Sequence, residues 1–418
     1  MTTIFHKKPL DKESILLFFI SGVGFTLPFK ININNIFIIG FIAVSLLFFN
    51  RLNFIKALKS NKYIFWVWAW SLWNIFSLLW VEDLTQGMKE FNRQLYYFII
   101  PFSFLSVSAY INDKFINTIF KYFIYGCIFT SIICVVNAAL KTYDYGSVNP
   151  FNEINGNFFS YFNFTGFLKI HPIYFASQVL ISLFLIVSDF FNNKILKTFG
   201  LVKIGIIIYL VVILMLLNSL IMLFNLIILL IFCFFIFKST ATKVVLSVII
   251  ISFAVLSSGF LFEKSKSIKI KSDITQTDFS GNQFTALKAR VAKAHGTIAV
   301  IKENFWFGVG MGDAEKELVK GYEKIGFQHG VETKYNPHNQ YLSEALKSGI
   351  TGIILFLCVI LQQFKLAFNN RNTIQLFFML SIAFFFLTES VLERQMGIVI
   401  FIFFTTLFLF MKENKALE

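Results

Sequence analysis

Runs of about 18 to 20 apolar residues recur along most of this 418-residue chain, and no other feature limits its fold as tightly. A run of that length crosses the hydrocarbon core of a bilayer as a helix, with its backbone polar groups paired internally. The chain therefore reads as all-α and polytopic. Twelve spans are expected, near 14–28, 32–49, 63–80, 93–110, 115–139, 171–189, 204–217, 219–237, 244–262, 338–364, 373–389 and 396–411. Residues 263–337 form the one long hydrophilic stretch.

Composition agrees, with 56% hydrophobic and 14% charged residues. The net charge of +14 does not indicate a nucleic-acid partner, because the basic residues divide between short loops and the long one. Cys127, Cys134, Cys233 and Cys358 fall inside apolar runs at neither disulfide nor metal spacing, so buried thiols are expected. Lys7, Lys8 and Lys12 precede the first run as in a signal peptide, but no small-residue cleavage site follows. A retained first helix is expected. The third run carries Trp66, Trp68, Trp70, Trp73 and Trp80, several of which fit an interface belt.

Orientation follows from the basic residues of the short loops. About 18 fall on the side of the termini and about six on the other: Lys30, Lys89, Arg93, Lys141, Lys169 and Arg394. Both termini are then cytoplasmic and 263–337 lies outside, on the periplasmic face of a bacterial inner membrane.

Polar chemistry gathers at that face. In Asn336-Pro337-His338-Asn339-Gln340-Tyr341-Leu342, Pro337 fits the first helical position with Asn336 as the cap. His338 would lie in the first turn, where the helix field favours a neutral ring able to accept a proton. The plain alternative is a capping histidine without chemistry. Residues 284–303 read as an amphipathic helix that could lie on the membrane surface. Its apolar stripe is Leu287, Val291, Ala294, Ile298 and Ile301, with Lys288, Lys293 and Lys302 on another face. Arg290 sits at the stripe's edge, where it could grip a phosphate oxygen pair or simply snorkel.

The segment Phe307-Gly308-Val309-Gly310-Met311-Gly312-Asp313 lacks the context of a dinucleotide loop and reads as a tight turn allowing close backbone approach. His329, Glu332 and His338 match no helical zinc spacing, and no nucleophilic Ser or Cys elbow is visible. Between the last two spans, Glu389, Glu393 and Arg394 cluster. They form either a solvated turn or the polar wall of an interfacial site.

Three segments in order resemble the O-antigen ligase and polymerase family of bacterial membrane glycan-transfer enzymes. They are Arg290-Val291 through Glu303-Asn304-Phe305-Trp306-Phe307-Gly308-Val309-Gly310-Met311-Gly312; Pro337-His338-Asn339-Gln340-Tyr341-Leu342 followed by Gly349-Ile350-Thr351-Gly352; and Leu392-Glu393-Arg394-Gln395-Met396-Gly397. His171-Pro172-Ile173-Tyr174 fits the same groups. The motif match covers roughly 205–400. It divides the chain into N-terminal spans (1–203), a ligase-like core (204–364, with the 263–337 loop) and C-terminal spans (365–418).

The resemblance implies metal-independent, inverting glycan transfer, without a cofactor, from an undecaprenyl-pyrophosphate-linked donor to a lipid A core or carrier-linked acceptor. Arg290 matches the arginine thought to hold the donor pyrophosphate, and His338 the histidine proposed to activate the acceptor hydroxyl. Asn339, Glu389, Arg394, His171 and Lys169 are candidate substrate contacts. One position departs from the family. Its Ser-Arg pair at the start of the eighth span is Ser219-Leu220 here, so a second phosphate clamp is missing unless Arg394 or Lys169 replaces it. Ligase and polymerase share these motifs. A transporter of lipid-linked glycans and an inactive family member are the alternatives of other classes.

Overall fold

A computed structural model describes residues 11–144, 158–190, 194–236, 279 and 286–411. The described residues form helices and their connections, with no strand among them. In chain order the helices are α1 (Lys12–Thr26), α2 (Ile31–Leu47), α3 (Arg51–Ser60), α4 (Lys62–Phe76), α5 (Leu84–Gln94), α6 (Tyr96–Ser106), α7 (Asp113–Asp144), α8 (Tyr161–Thr165), α9 (Pro172–Asp189), α10 (Gly200–Leu216), α11 (Leu220–Ile236), α12 (Ala286–Glu303), α13 (Ala314–Lys324), α14 (Gln328–Thr333), α15 (Gln340–Asn369), α16 (Thr373–Phe386) and α17 (Gln395–Leu407). The expected span at 244–262 and nearly all of the loop up to 285 lie outside the described residues.

Among the described residues three helices, α7, α9 and α15, are long and apolar enough to cross a membrane alone. A fourth span arises if α2 and α3, bent by 114° at their junction, are taken together. Helices α10, α16 and α17 and part of α11 are apolar but shorter. These features are those of an all-α membrane protein. Several boundaries differ from expectation. The basic stretch after the second run continues as α3, and the run at 93–110 divides between α5 and α6, with Pro101 inside the latter. Proline removes one backbone donor, so in an isolated straight span the carbonyl four residues earlier would lack its partner.

The chain forms two compact units. One holds the described residues up to Ser60, Ile99–Leu220 and those from Thr406 on. In it α1 packs on α2 and α7, and α9 on α7 and α10. A Cβ on Gly126 would stand 2.0 Å from the Phe25 carbonyl oxygen, so only glycine allows this approach of α7 to α1. The Asp189 carboxylate accepts hydrogen bonds from the backbone N–H groups of Lys194, Ile195 and Leu196 and pairs with Lys203 Nζ at 2.8 Å. Lys203, just before the span expected at 204–217, is buried in α10.

The other unit comprises Asn61–Phe98 and Ile221–Thr405. Helix α15 packs on α4, α12 and α16, and α12 packs on α13. Gly296 and Gly321 let α12 and α13 approach; a Cβ on Gly321 would meet the Gly296 oxygen at 2.6 Å. The buried face of α12 is Ala292, Lys293, Gly296, Thr297 and Val300, and Ile298 is exposed. This corrects the expected stripe. The helix packs in a small core with Leu318, Tyr322, Phe327 and Leu346. A helix held between protein neighbours can bury a lysine stem that a surface helix would turn to water.

Helix α15 breaks at Gly349, where φ is 63° and ψ is −163°, a conformation essentially restricted to glycine. The break frees carbonyls that the sequence supplies with donors. Val309 N–H donates to Leu346 O and Gly310 N–H to Lys347 O, each at 2.9 Å, and Trp73 Nε1 donates to Ser348 O at 3.0 Å. Ile350 N–H in turn donates to Phe305 O at 2.8 Å. The glycine-rich turn therefore does approach something closely: the backbone of the broken helix.

Candidate active site

Helix α15 begins at Gln340, later than expected. Asn339 is its N-cap, its side-chain oxygen accepting from Leu342 N–H at 3.0 Å. Asn336 does not cap the helix, and Pro337 is not its first residue. His338 precedes the helix with φ +50°, in the left-handed region. That turn is held by Asn336, whose side-chain oxygen accepts from His338 N–H at 3.1 Å. The electrostatic partner of the ring is thus a carboxylate rather than the helix end. Nδ1 of His338 lies 3.0 Å from Oε2 of Glu389. The contact has ion-pair distance without hydrogen-bond alignment, and such contacts often tighten when substrate binds.

Glu389 also faces Arg290, with Nη2 3.9 Å from Oε1. Three residues from three separate stretches of the chain therefore meet: Arg290 on α12, His338 before α15 and Glu389 after α16. A carboxylate beside Nδ1 favours the tautomer with the proton there and leaves Nε2 as acceptor. The Arg290 side chain is 41% exposed, and its loose contact with Glu389 leaves most of its five donors for a ligand. One helical turn further, Lys293 is buried, with Nζ 3.7 Å from the centre of the Tyr335 ring. Burial pushes its ammonium down to about 8, the nearby Arg290 charge adds to this, and Glu389 opposes it.

Below this cluster Glu393 gathers donors. Asn336 Nδ2 donates to its Oε2 at 2.8 Å, the Ser343 hydroxyl donates to its Oε1, and Lys347 Nζ lies 3.2 Å away. Burial alone would raise the Glu393 carboxyl; the Lys347 charge and the Ser343, Lys347 and Asn336 hydrogen bonds outweigh it and hold the group below the usual carboxylate range. Glu344 accepts from Trp70 Nε1 at 3.0 Å and from Gln340 Nε2 at 2.8 Å. With Glu90, Arg93 and Lys347 it lines a polar cavity of about 10 Å³, room for about one water molecule.

Residues 205–357 match the family model described as O-antigen ligase. That segment is similar to the O-antigen ligase family. The three motifs pointed to this family, and the match supports it. No curated protein matches the chain.

The matched segment contains Arg290, Lys293, His338, Asn339, Glu344 and Lys347, whereas Glu389, Glu393 and Arg394 follow it. Asn339 is engaged on both sides of its amide, since Nδ2 also donates to the Leu387 carbonyl at 3.0 Å. Arg394 is exposed beside Glu393. Leu220 opens α11, and its side chain lies outside the described atoms. His171 and Lys169 belong to the other unit. There His171 caps α9 in a β conformation, with its ring edge-on to Phe162 and Tyr174, and Lys169 is exposed with φ +56°.

The sequence alone assigns no site role to Glu344, Lys347, Gln340 or Glu90. Glu344 and Lys347 lie three residues apart at the start of the tenth apolar run. That spacing, which puts both on one side of a helix, was the available signal. Trp70 was grouped with belt residues, but it is 1% exposed and holds Glu344.

Proposed function

We propose that this protein transfers a glycan from an undecaprenyl-pyrophosphate carrier to an acceptor hydroxyl at the periplasmic face of a bacterial inner membrane. The meeting of Arg290, His338 and Glu389 carries this reading. The family match supports membrane glycan transfer of the ligase or polymerase kind. His338 Nε2 takes the acceptor proton as the acceptor oxygen attacks the anomeric carbon. The bond from that carbon to the pyrophosphate oxygen breaks, and the leaving group keeps the electron pair. Arg290 stabilises the charge that develops there, so the barrier falls by electrostatics without a metal. Direct displacement inverts the anomeric centre. Glu389 holds the ring in its productive tautomer. Twelve spans with both termini cytoplasmic would put this cluster outside, in keeping with the distribution of lysine and arginine in the short loops.

The deciding experiment is a clean deletion strain, with surface polysaccharide run on a gel beside stained lipid A core. Free core with long unattached polymer identifies a ligase. Core capped by single repeats without a ladder identifies a polymerase. An unchanged ladder rejects both. One observation favours a second reading, transport of the lipid-linked glycan. Broken spanning helices and buried ionisable side chains, here Gly349 with Glu344 and Lys347, are features that transporters use. Purified protein that joins donor to acceptor in detergent would exclude transport as the sole activity.

A further inference from the structure

We propose that Lys293 is a second phosphate-binding cation of this site, and that it and Arg290 together take a pyrophosphate group. The proposal rests on the glycan-transfer reading and names the residue pair that would recognise its donor. Lys293 follows Arg290 by three residues on α12, so the two side chains leave neighbouring positions of one helix face. Lysine is rarely buried without a partner, yet Lys293 is 6% exposed. Among the described residues no carboxylate stands within ion-pair distance of its ammonium and no hydrogen bond reaches it; the close partner is the Tyr335 ring. A ring face offsets only part of the cost of removing an ammonium from water.

Charge balance points to the missing partner. Glu389 is the carboxylate sensed by both Arg290 and Lys293, and His338 also contacts it. One carboxylate facing two cations leaves a positive site that a dianion would neutralise. The chemistries of the two cations also differ usefully. The guanidinium fork fits an oxygen pair on one phosphate, while an ammonium acts as a point donor to a second phosphate. A pyrophosphate offers both, whereas the phosphodiester of a phospholipid headgroup offers one.

The test titrates inorganic pyrophosphate into the full-length protein in detergent by calorimetry, for wild type, Lys293→Met, Lys293→Arg and Arg290→Ala. Loss of one charge-assisted contact should weaken binding about tenfold in Lys293→Met, and Lys293→Arg should restore most of it. Wild-type affinity in Lys293→Met overturns the proposal. So does equal wild-type affinity for pyrophosphate, inorganic phosphate and short-chain phosphatidylglycerol, which would indicate a single-phosphate or lipid-headgroup site. If Lys293→Met does not fold, reductively methylated wild-type protein is read by NMR. The lysine signal missing from Lys293→Arg should move when pyrophosphate is added, and a stationary signal overturns the proposal. Binding lost in Arg290→Ala but intact in Lys293→Met rejects Lys293 alone. Binding intact in both rejects the donor site itself.

Discussion

Glu389 presents one carboxylate oxygen to His338 at 3.0 Å and the other to Arg290 at 3.9 Å. In the proposed mechanism the group that orients the base therefore also faces the cation at the leaving group, and proton removal and leaving-group stabilisation would share a single side chain.

His338→Ala should lower transfer by at least about a hundredfold, the lower range for a lost general base, with membrane insertion intact. Glu389→Gln should act mainly on kcat, because it disturbs the ring tautomer while keeping the side chain's shape. Initial-rate kinetics on purified protein check both, and full activity in His338→Ala would end its assignment as base.

Lys347→Met leaves Glu393 charged and largely buried without its cation. Removing one partner of such a pair costs about 3–5 kcal/mol. The double variant Lys347→Met/Glu393→Gln should recover much of the lost melting temperature. Acid should expose the same carboxylate. Its folded value lies below the reference 4.5, so its stabilisation is complete above that pH and disappears as pH falls through the lower folded value. Melting curves at stepped pH should show a shallower acid limb for Glu393→Gln. Identical limbs would mean that Glu393 contributes nothing there.

Lys293 predicts a trend of the same sign in the alkaline range. Its ammonium titrates near 8 in the folded protein and at 10.5 in the reference state. Between those values the unfolded chain binds more protons, so stability should rise with pH across that window, by at most about 3 kcal/mol. In Lys293→Met this part of the slope should be absent. A mutant whose slope matches wild type would show that the folded ammonium is not shifted.

Gly349→Ala should prevent correct folding. A Cβ there would stand 2.4 Å from the Trp306 carbonyl oxygen and 2.7 Å from Gly308 N, and the backbone conformation excludes side chains in any case. Gly326 provides the control. Its φ is +70° but no atom lies within 4 Å of a Cβ, so Gly326→Asn should be tolerated. Size-exclusion profiles of the two variants separate these outcomes.

The sequence made helical spans legible because apolar runs of bilayer length allow few other folds. It also exposed Arg290, His338 and Glu389, since polar residues beside such runs stand out. It did not expose what depends on the third dimension. The start of α15 was misplaced because Asn336 and Asn339 are both competent caps, and only tertiary contacts choose Asn339. Lys293 was assigned to the wrong face because the helix meets α13 through Gly296 and Gly321, and small residues give no hydropathy signal. Lys347 and Glu344 escaped notice because each charge was read against its apolar neighbours in sequence. Their partners, Glu393 and Trp70, lie far along the chain.

The break at Gly349 has a consequence for how this protein matures. The indole of Trp73 finds its acceptor on Ser348, 275 residues later, and the carbonyls of Leu346 and Lys347 find their donors on Val309 and Gly310. These groups cannot be satisfied one span at a time as the chain leaves the ribosome. Early segments must carry unmatched donors until the last third is made, so assembly within the bilayer is a late, concerted step, and a chain truncated before residue 348 leaves the Trp73 indole without its acceptor.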